Sequence, residues 1–230
     1  MLLSGDISAR LGPDITIVDD FESYTDSADF RSQWSSNDPT MDWGIGTSGP
    51  GLYEGSQYLE CTDPGGGGDN ALTVPADGVL NYYPQRGDVL ELYVTPTGDN
   101  LTDKNILYFY FGAEVGAGYM NGVNNGYYVT IDWDDDEFRL GETTTETESP
   151  TTDDEFTVSL DTTYRVEIDF DSASNGHIIA DVYEATGSTV LATRTLNDTS
   201  HNYRGVCIRG EFDGGTPAAC HVDYIVKTNA

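Results

Sequence analysis

The chain has very little positive charge. Of its 230 residues only 10 are Lys or Arg against 40 Asp or Glu, a formal net charge of -30. Just two of the cations are lysines, Lys104 and Lys227. A polyanion would be repelled and no basic stripe exists to hold one, so direct nucleic-acid binding is excluded. Long apolar runs are missing too. The longest, Ile106 to Phe111, is far too short to cross a bilayer, and no membrane insertion is expected. Met1 to Arg10 has neither a basic start nor an apolar stretch of export type, so no signal peptide is expected. Helical periodicity does not persist beyond a turn or so, except over Ser27 to Trp34. Three cysteines, Cys61, Cys207 and Cys220, are too few for a disulfide framework.

What is present starts with carboxylates dispersed over every segment. Charge of one sign at this density opposes compaction unless ions screen it, and at molar salt the Debye length falls to about 3 Å. The composition therefore reads as a protein built for brine; the blander reading is an acidic protein that binds cations or basic partners. The 15 Tyr, 8 Phe and 3 Trp separate the chain from disordered acidic sequences and give it material for a core.

Short apolar or β-branched runs alternate with Gly, Asp, Asn, Thr and Pro clusters, a pattern that predicts about 12–13 strands in an all-β sandwich or barrel. Two hairpins stand out: Tyr127 to Leu140 around Asp134-Asp135-Asp136, and His177 to Leu196 around Thr186-Gly187-Ser188. Thr143 to Asp154 and Gly65 to Gly68 read as loops, and residues 1–14 as an N-terminal arm ahead of one domain over 15–230. If Asp213-Gly214 is a two-residue turn, Cys207 and Cys220 face each other at a separation a disulfide can span; otherwise both are small buried hydrophobes.

In order, several segments resemble the concanavalin A-like lectin/glucanase jelly roll in its laminin-G-like form. Val18-Asp19-Asp20-Phe21-Glu22 followed by Trp34 is similar to that family's first strand. Thr163 to Asp169 is similar to its Tyr-Arg-Val strand, and Ile178 to Tyr183 to the strand after it. Gly205 to Arg209 and His221 to Val226 resemble its closing pair. The resemblance spans about residues 15–228 and implies an antiparallel two-sheet sandwich. It also implies a structural Ca2+ tying the first strand to the last, for which Asp19, Asp20 and Asp223 match by position. Asp134 to Asp136 is a second acidic candidate for the ion, and solvated acidic surface is the plain alternative for both.

Glu167-Ile168-Asp169-Phe170-Asp171 is the sharpest candidate for catalysis. Alternate strand residues share a face, and retaining glycosidases need two carboxyls about 5–5.5 Å apart. Laminarinase-like relatives carry Glu-x-Asp-x-Glu, whereas this chain ends the motif on Asp171. In a chain with 40 acids such a triplet also arises on an ordinary solvated strand. His177, His201 and His221 show no metal or triad spacing. Tyr108 and Tyr110, on the face of their strand opposite Phe109, with Tyr127 and Tyr128, are candidates for stacking on sugars or for a subunit interface. The sequons Asn100-Leu101-Thr102 and Asn197-Asp198-Thr199 are expected to be unoccupied.

These features lead to an expected non-catalytic virion structural protein of a halophilic virus. It would be homo-oligomeric, in contact with other virion proteins and exposed to host-surface glycans. The alternatives are a calcium-dependent carbohydrate-binding module and, behind it, a glycoside hydrolase using Glu167 and Asp171.

Overall fold

A computed structural model of the chain describes residues 15–36, 42–49, 53, 55–62, 69–75, 78–97, 105–114, 123–145, 147–150, 154–212 and 219–228. The arm expected over 1–14 lies outside them. One helix, α1 (Ser27–Gln33), forms where expected. Asp26 caps it by accepting the N–H groups of Ala28 and Asp29, and Phe30 is the side chain it buries.

The strands are β1 (Thr16–Asp19), β2 (Trp34–Ser36), β3 (Asp42–Gly46), β4 (Tyr58–Thr62), β5 (Asp69–Pro75), β6 (Val89–Thr97), β7 (Asn105–Ala113) and β8 (Asn125–Asp132). They continue with β9 (Glu137–Thr144), β10 (Thr147–Pro150), β11 (Asp154–Glu155), β12 (Tyr164–Phe170), β13 (His177–Glu184), β14 (Val190–Asn197), β15 (Gly205–Phe212) and β16 (Ala219–Thr228). Sheet A runs β14-β13-β12-β6-β16-β4-β3 with β1 on β16; sheet B runs β10-β9-β8-β7-β15-β5-β2 with β11 on β9. Every pairing between described strands is antiparallel. Among the described residues no helix is long and apolar enough to cross a membrane.

Alternation decides which face of each strand enters the core. In β12, Tyr164, Val166, Ile168 and Phe170 are buried while Arg165, Glu167 and Asp169 lie half-exposed on the other side. Leu90, Leu92 and Val94 of β6 join them, facing Leu107, Phe109 and Phe111 of β7 and Val129 and Ile131 of β8. β7 and most of β8 in sheet B are buried on both faces. A second cluster of Ile106, Tyr108, Tyr110, Tyr128 and Cys207 lies on that sheet's outer face.

Three expectations change. The stretch Thr143 to Asp154 is not simply a loop: β10 folds back on β9 with Thr147 opposite Thr144, and β11 pairs with Phe138 and Glu137. Backbone pairing makes these polar edge strands, so they lack the apolar alternation that marks inner ones. The proposed Cys207–Cys220 bridge is excluded because the two residues lie in different sheets. Cys207 is opposite Tyr110 in sheet B, whereas Cys220 is opposite Pro96 and Cys61 in sheet A. Tyr127 belongs not to the tyrosine face but to the core between the sheets, because it neighbours Tyr128 on one strand and points the other way.

Candidate functional site

Three connections converge at one end of the sandwich: the segment before β6, the turn from β12 to β13, and the crossover from β14 to β15. Arg86 joins them. Its guanidinium lies 2.8 Å from Asp171 and donates at 3.3 Å to the carbonyls of Asp198 and His201 and at 3.1 Å to the Tyr127 hydroxyl. The same cation sits over the Phe170 ring, 5.2 Å from its centroid. Gly112, at φ 55°, leaves room for that ring: a Cβ there would meet it at 2.6 Å.

Asp171 shows why the catalytic triplet does not assemble. The strand ends at Phe170, and Asp171 takes a left-handed conformation at φ 61°. It turns away from Glu167 and Asp169 to accept Arg86 and the N–H groups of Asn175 and Gly176. Burial opposes its ionisation, but these donors prevail and hold the carboxyl below the usual range. Asp169 instead accepts Ser172 through its backbone and hydroxyl.

Beside this hub lies an open cleft of about 450 Å³ lined by Asn175, Gly176, His177, Asn197, Asp198, Thr199 and Ser200. The Asp198 carboxylate accepts the Tyr127 hydroxyl at 2.9 Å and the backbone N–H of Ser200. Tyr127 in turn accepts the His201 N–H at 3.0 Å. Burial works against charge on Asp198, yet hydrogen bonds from Ser200, Tyr127 and Glu142 keep its carboxyl below the ordinary range. Glu142 moves the opposite way, raised by burial and by Asp198, so a proton resides on Glu142 before it resides on Asp198. His201 Nε2 lies 3.7 Å from Glu142, and the His201 ring stacks toward the exposed Tyr203, centroids 6.5 Å apart. The cleft thus offers a fixed carboxylate, amides, hydroxyls and an exposed aromatic ring nearby. From this group the sequence marks Tyr127 as a sugar or interface candidate, His177 and His201 as histidines without metal or triad spacing, and Asn197-Asp198-Thr199 as a sequon.

The tyrosine face is built differently. Tyr108, Tyr110 and Tyr128 do come together, with ring centroids 5.8 Å apart, but all three are buried. Glu148 of β10 reaches over the sheet to accept the Tyr110 hydroxyl at 2.7 Å and to pair with Arg209, whose guanidinium lies 4.5 Å from the Tyr108 centroid. A cavity of about 160 Å³ remains among Tyr108, Tyr128, Thr130, Arg139, Glu148 and Pro150.

The positions proposed for calcium are dispersed over separate hydrogen-bond partners. Asp19 accepts the Phe21 N–H at 2.8 Å and the Tyr24 hydroxyl at 2.7 Å, and burial pushes its carboxyl up to about 6. Asp20 accepts the Glu22 N–H, and Asp223 accepts the Tyr53 N–H at 2.8 Å. Among the described residues the acidic group with metal-ligand spacing is Asp132, Asp135 and Glu137, whose oxygens lie within 4.8 Å of one another. Asp134 and Asp136 of the expected tip are not in it. Arg139 pairs with all three, 3.4 Å from Asp132 and 3.8 Å from Asp135, so its single positive charge offsets part of their negative charge. Arg139 thus competes with any cation for these oxygens.

Comparison with solved structures decides the fold. The chain is similar to a carbohydrate-binding module, CBM66 from Bacillus subtilis, at 10% identity and TM-score 0.51, covering 82% of this chain and 91% of that one. It is similar to the exoplasmic/lumenal domain of VIP36 in its Ca2+/Man3GlcNAc-bound form, at 8% identity and TM-score 0.57, covering 87% and 86%. It is also similar to the lectin UEA-II complexed with galactose, at 9% identity and TM-score 0.54, covering 94% and 99%. The fold is the lectin-like jelly roll. No protein-family model and no curated protein sequence matches the chain. At these identities the jelly roll alone is shared, and the cleft has to be read from its own residues.

Proposed function

We propose that the chain is a non-catalytic carbohydrate-binding domain that holds a short glycan in the cleft beside Asp198. The observation that carries this reading is the preorganised Asp198 carboxylate. Tyr127 and Ser200 fix it, and it shares the lining of an open polar cleft with Asn175, His177, Asn197 and Thr199. A sugar presents paired hydroxyls that donate to a carboxylate and accept from amides, and one apolar ring face that suits an aromatic such as Tyr203. The similar carbohydrate-binding module CBM66, the VIP36 domain with Man3GlcNAc bound and the lectin UEA-II with galactose bound support the same reading. The expectation of a virion component gains no support from these comparisons, which favour the carbohydrate-binding alternative.

A glycan array read in about 3 M KCl, followed by calorimetry on the hits, tests the proposal. Asp198→Asn and Tyr203→Ala should each weaken binding about tenfold or more while the circular dichroism stays native. Full affinity in both variants, or no hit on a broad array, would refute it.

A further inference from the structure

β4 and β16 place Cys61 directly opposite Cys220. Opposed residues of an antiparallel pair point to the same face of the sheet. Both cysteines belong to the core cluster between the sheets, and both are fully buried. Opposed Cα atoms are about 4.5 Å or about 5.5 Å apart, depending on the kind of pair. Either value lies within the roughly 4.4–6.8 Å that a disulfide accepts. Cys207 cannot compete, because it sits in the cluster on the outer face of sheet B, with that sheet between it and the pair.

We infer that Cys61 and Cys220 are a disulfide-forming pair, closed when the chain folds under oxidising conditions and open when it folds under reducing ones. With oxidised glutathione the chemistry balances simply. One cysteine thiolate attacks the glutathione disulfide and expels one glutathione thiolate. The second cysteine thiolate then displaces the other glutathione, so two protein thiols become one S–S bond and one glutathione disulfide becomes two thiols. Neither sulfur meets solvent in the native fold. Oxidation of the folded protein must therefore wait for β4 to open away from β16, and the fast route is oxidation during folding.

The test is to refold the full chain in about 3 M KCl with either reduced or oxidised glutathione, alkylate, and map peptides without reductant. After oxidative refolding, Cys61 should be linked to Cys220, Cys207 should be alkylated, and the Tm should rise by roughly 5–10 °C. Folded, reduced protein given the same oxidant should form the link at least about 100-fold more slowly. Cys207→Ala, which leaves this pair alone, should give the same product. Alkylation of both Cys61 and Cys220 in oxidatively refolded protein with native circular dichroism would overturn the inference. A link through Cys207 would do the same.

Discussion

The guanidinium of Arg86 lies 2.8 Å from the carboxylate of Asp171, 85 positions away in sequence, and ties the turn after β12 to the segment before β6. Asp171 is 5% exposed at its side chain and Arg86 17%, so water does little to screen the pair. Arg86→Met leaves a buried carboxylate without its cation, at a cost of about 3 kcal/mol. Asp171 is held below its ordinary range, so the pair's stabilisation is full above the unfolded value near 3.8 and is lost as pH falls through the folded one. Denaturant titrations of wild type and Arg86→Met should therefore differ at pH 7 and converge in acid. Arg86→Met/Asp171→Asn should recover part of the loss. Equal stability at pH 7 would show that the pair contributes nothing.

Tyr127 links that hub to the cleft through one hydroxyl, which donates to Asp198 and accepts from Arg86 and His201. Tyr127→Phe keeps the ring against Phe111 and Phe170 and removes only the hydroxyl. The expected loss is about 1–2 kcal/mol of stability, with glycan affinity falling several-fold because Asp198 is no longer fixed. Calorimetry on a hit from the array, with a urea titration beside it, separates the two effects.

Legibility in the sequence followed the physics of each element. β12 and β13 bury one face, so Tyr164, Val166, Ile168 and Phe170 announce themselves by alternation. β7 is buried on both faces, and there the sequence shows a strand without showing what covers it. The Asp213-Gly214 signal suggested a local hairpin, but β15 and β16 pair with β7 and β6 in separate sheets, a long-range outcome that no turn signal reports. The cleft was illegible for the same reason. Arg86 reaches Asp198 across 112 positions, and Asp198 looks like any of 40 acids until Tyr127 is seen beneath it.

Asp19 should make the protein more stable in mild acid. Burial raises its folded carboxyl to about 6 from an unfolded value near 3.8, so ionisation costs more in the folded state. The stabilisation is full below about 3.8 and disappears as pH rises through about 6, and Asp132, also raised to about 6 by burial, adds in the same direction. Each carboxyl contributes up to about 3 kcal/mol across that window. At constant molar salt the Tm should climb from pH 7 to pH 5, and Asp19→Asn should flatten the slope. A slope unchanged by Asp19→Asn would disprove the assignment.

Arg139 should make the acidic tip indifferent to calcium. Its guanidinium pairs with Asp132, Asp135 and Glu137, the group whose spacing would otherwise suit a hard cation. Wild-type Tm should be the same in CaCl2 and in EGTA at matched ionic strength, whereas Arg139→Gln should gain a calcium-dependent rise. A wild-type Tm that drops in EGTA would refute this prediction.

The carboxylates on the outer face of sheet A make stability depend on salt. Glu167 of β12 stands directly opposite Glu91 of β6 on one side and Asp181 of β13 on the other, with Arg165 as the cation that pairs with Glu91 and Glu167. Burial and the neighbouring acids raise the Glu167 carboxyl, although Arg165 pulls the other way. Opposed like charges cost about 0.2–1 kcal/mol per pair, and the net charge of -30 adds a global term of the same sign. Diluting salt from about 3 M to about 0.1 M lengthens the Debye screening from about 3 Å to about 10 Å. The Tm should fall on that dilution. Glu167→Gln should recover roughly 2 °C in dilute salt and nothing in concentrated salt, since screening there has already removed the repulsion. An equal effect of Glu167→Gln at both salts would mean that packing, and not charge, governs this face.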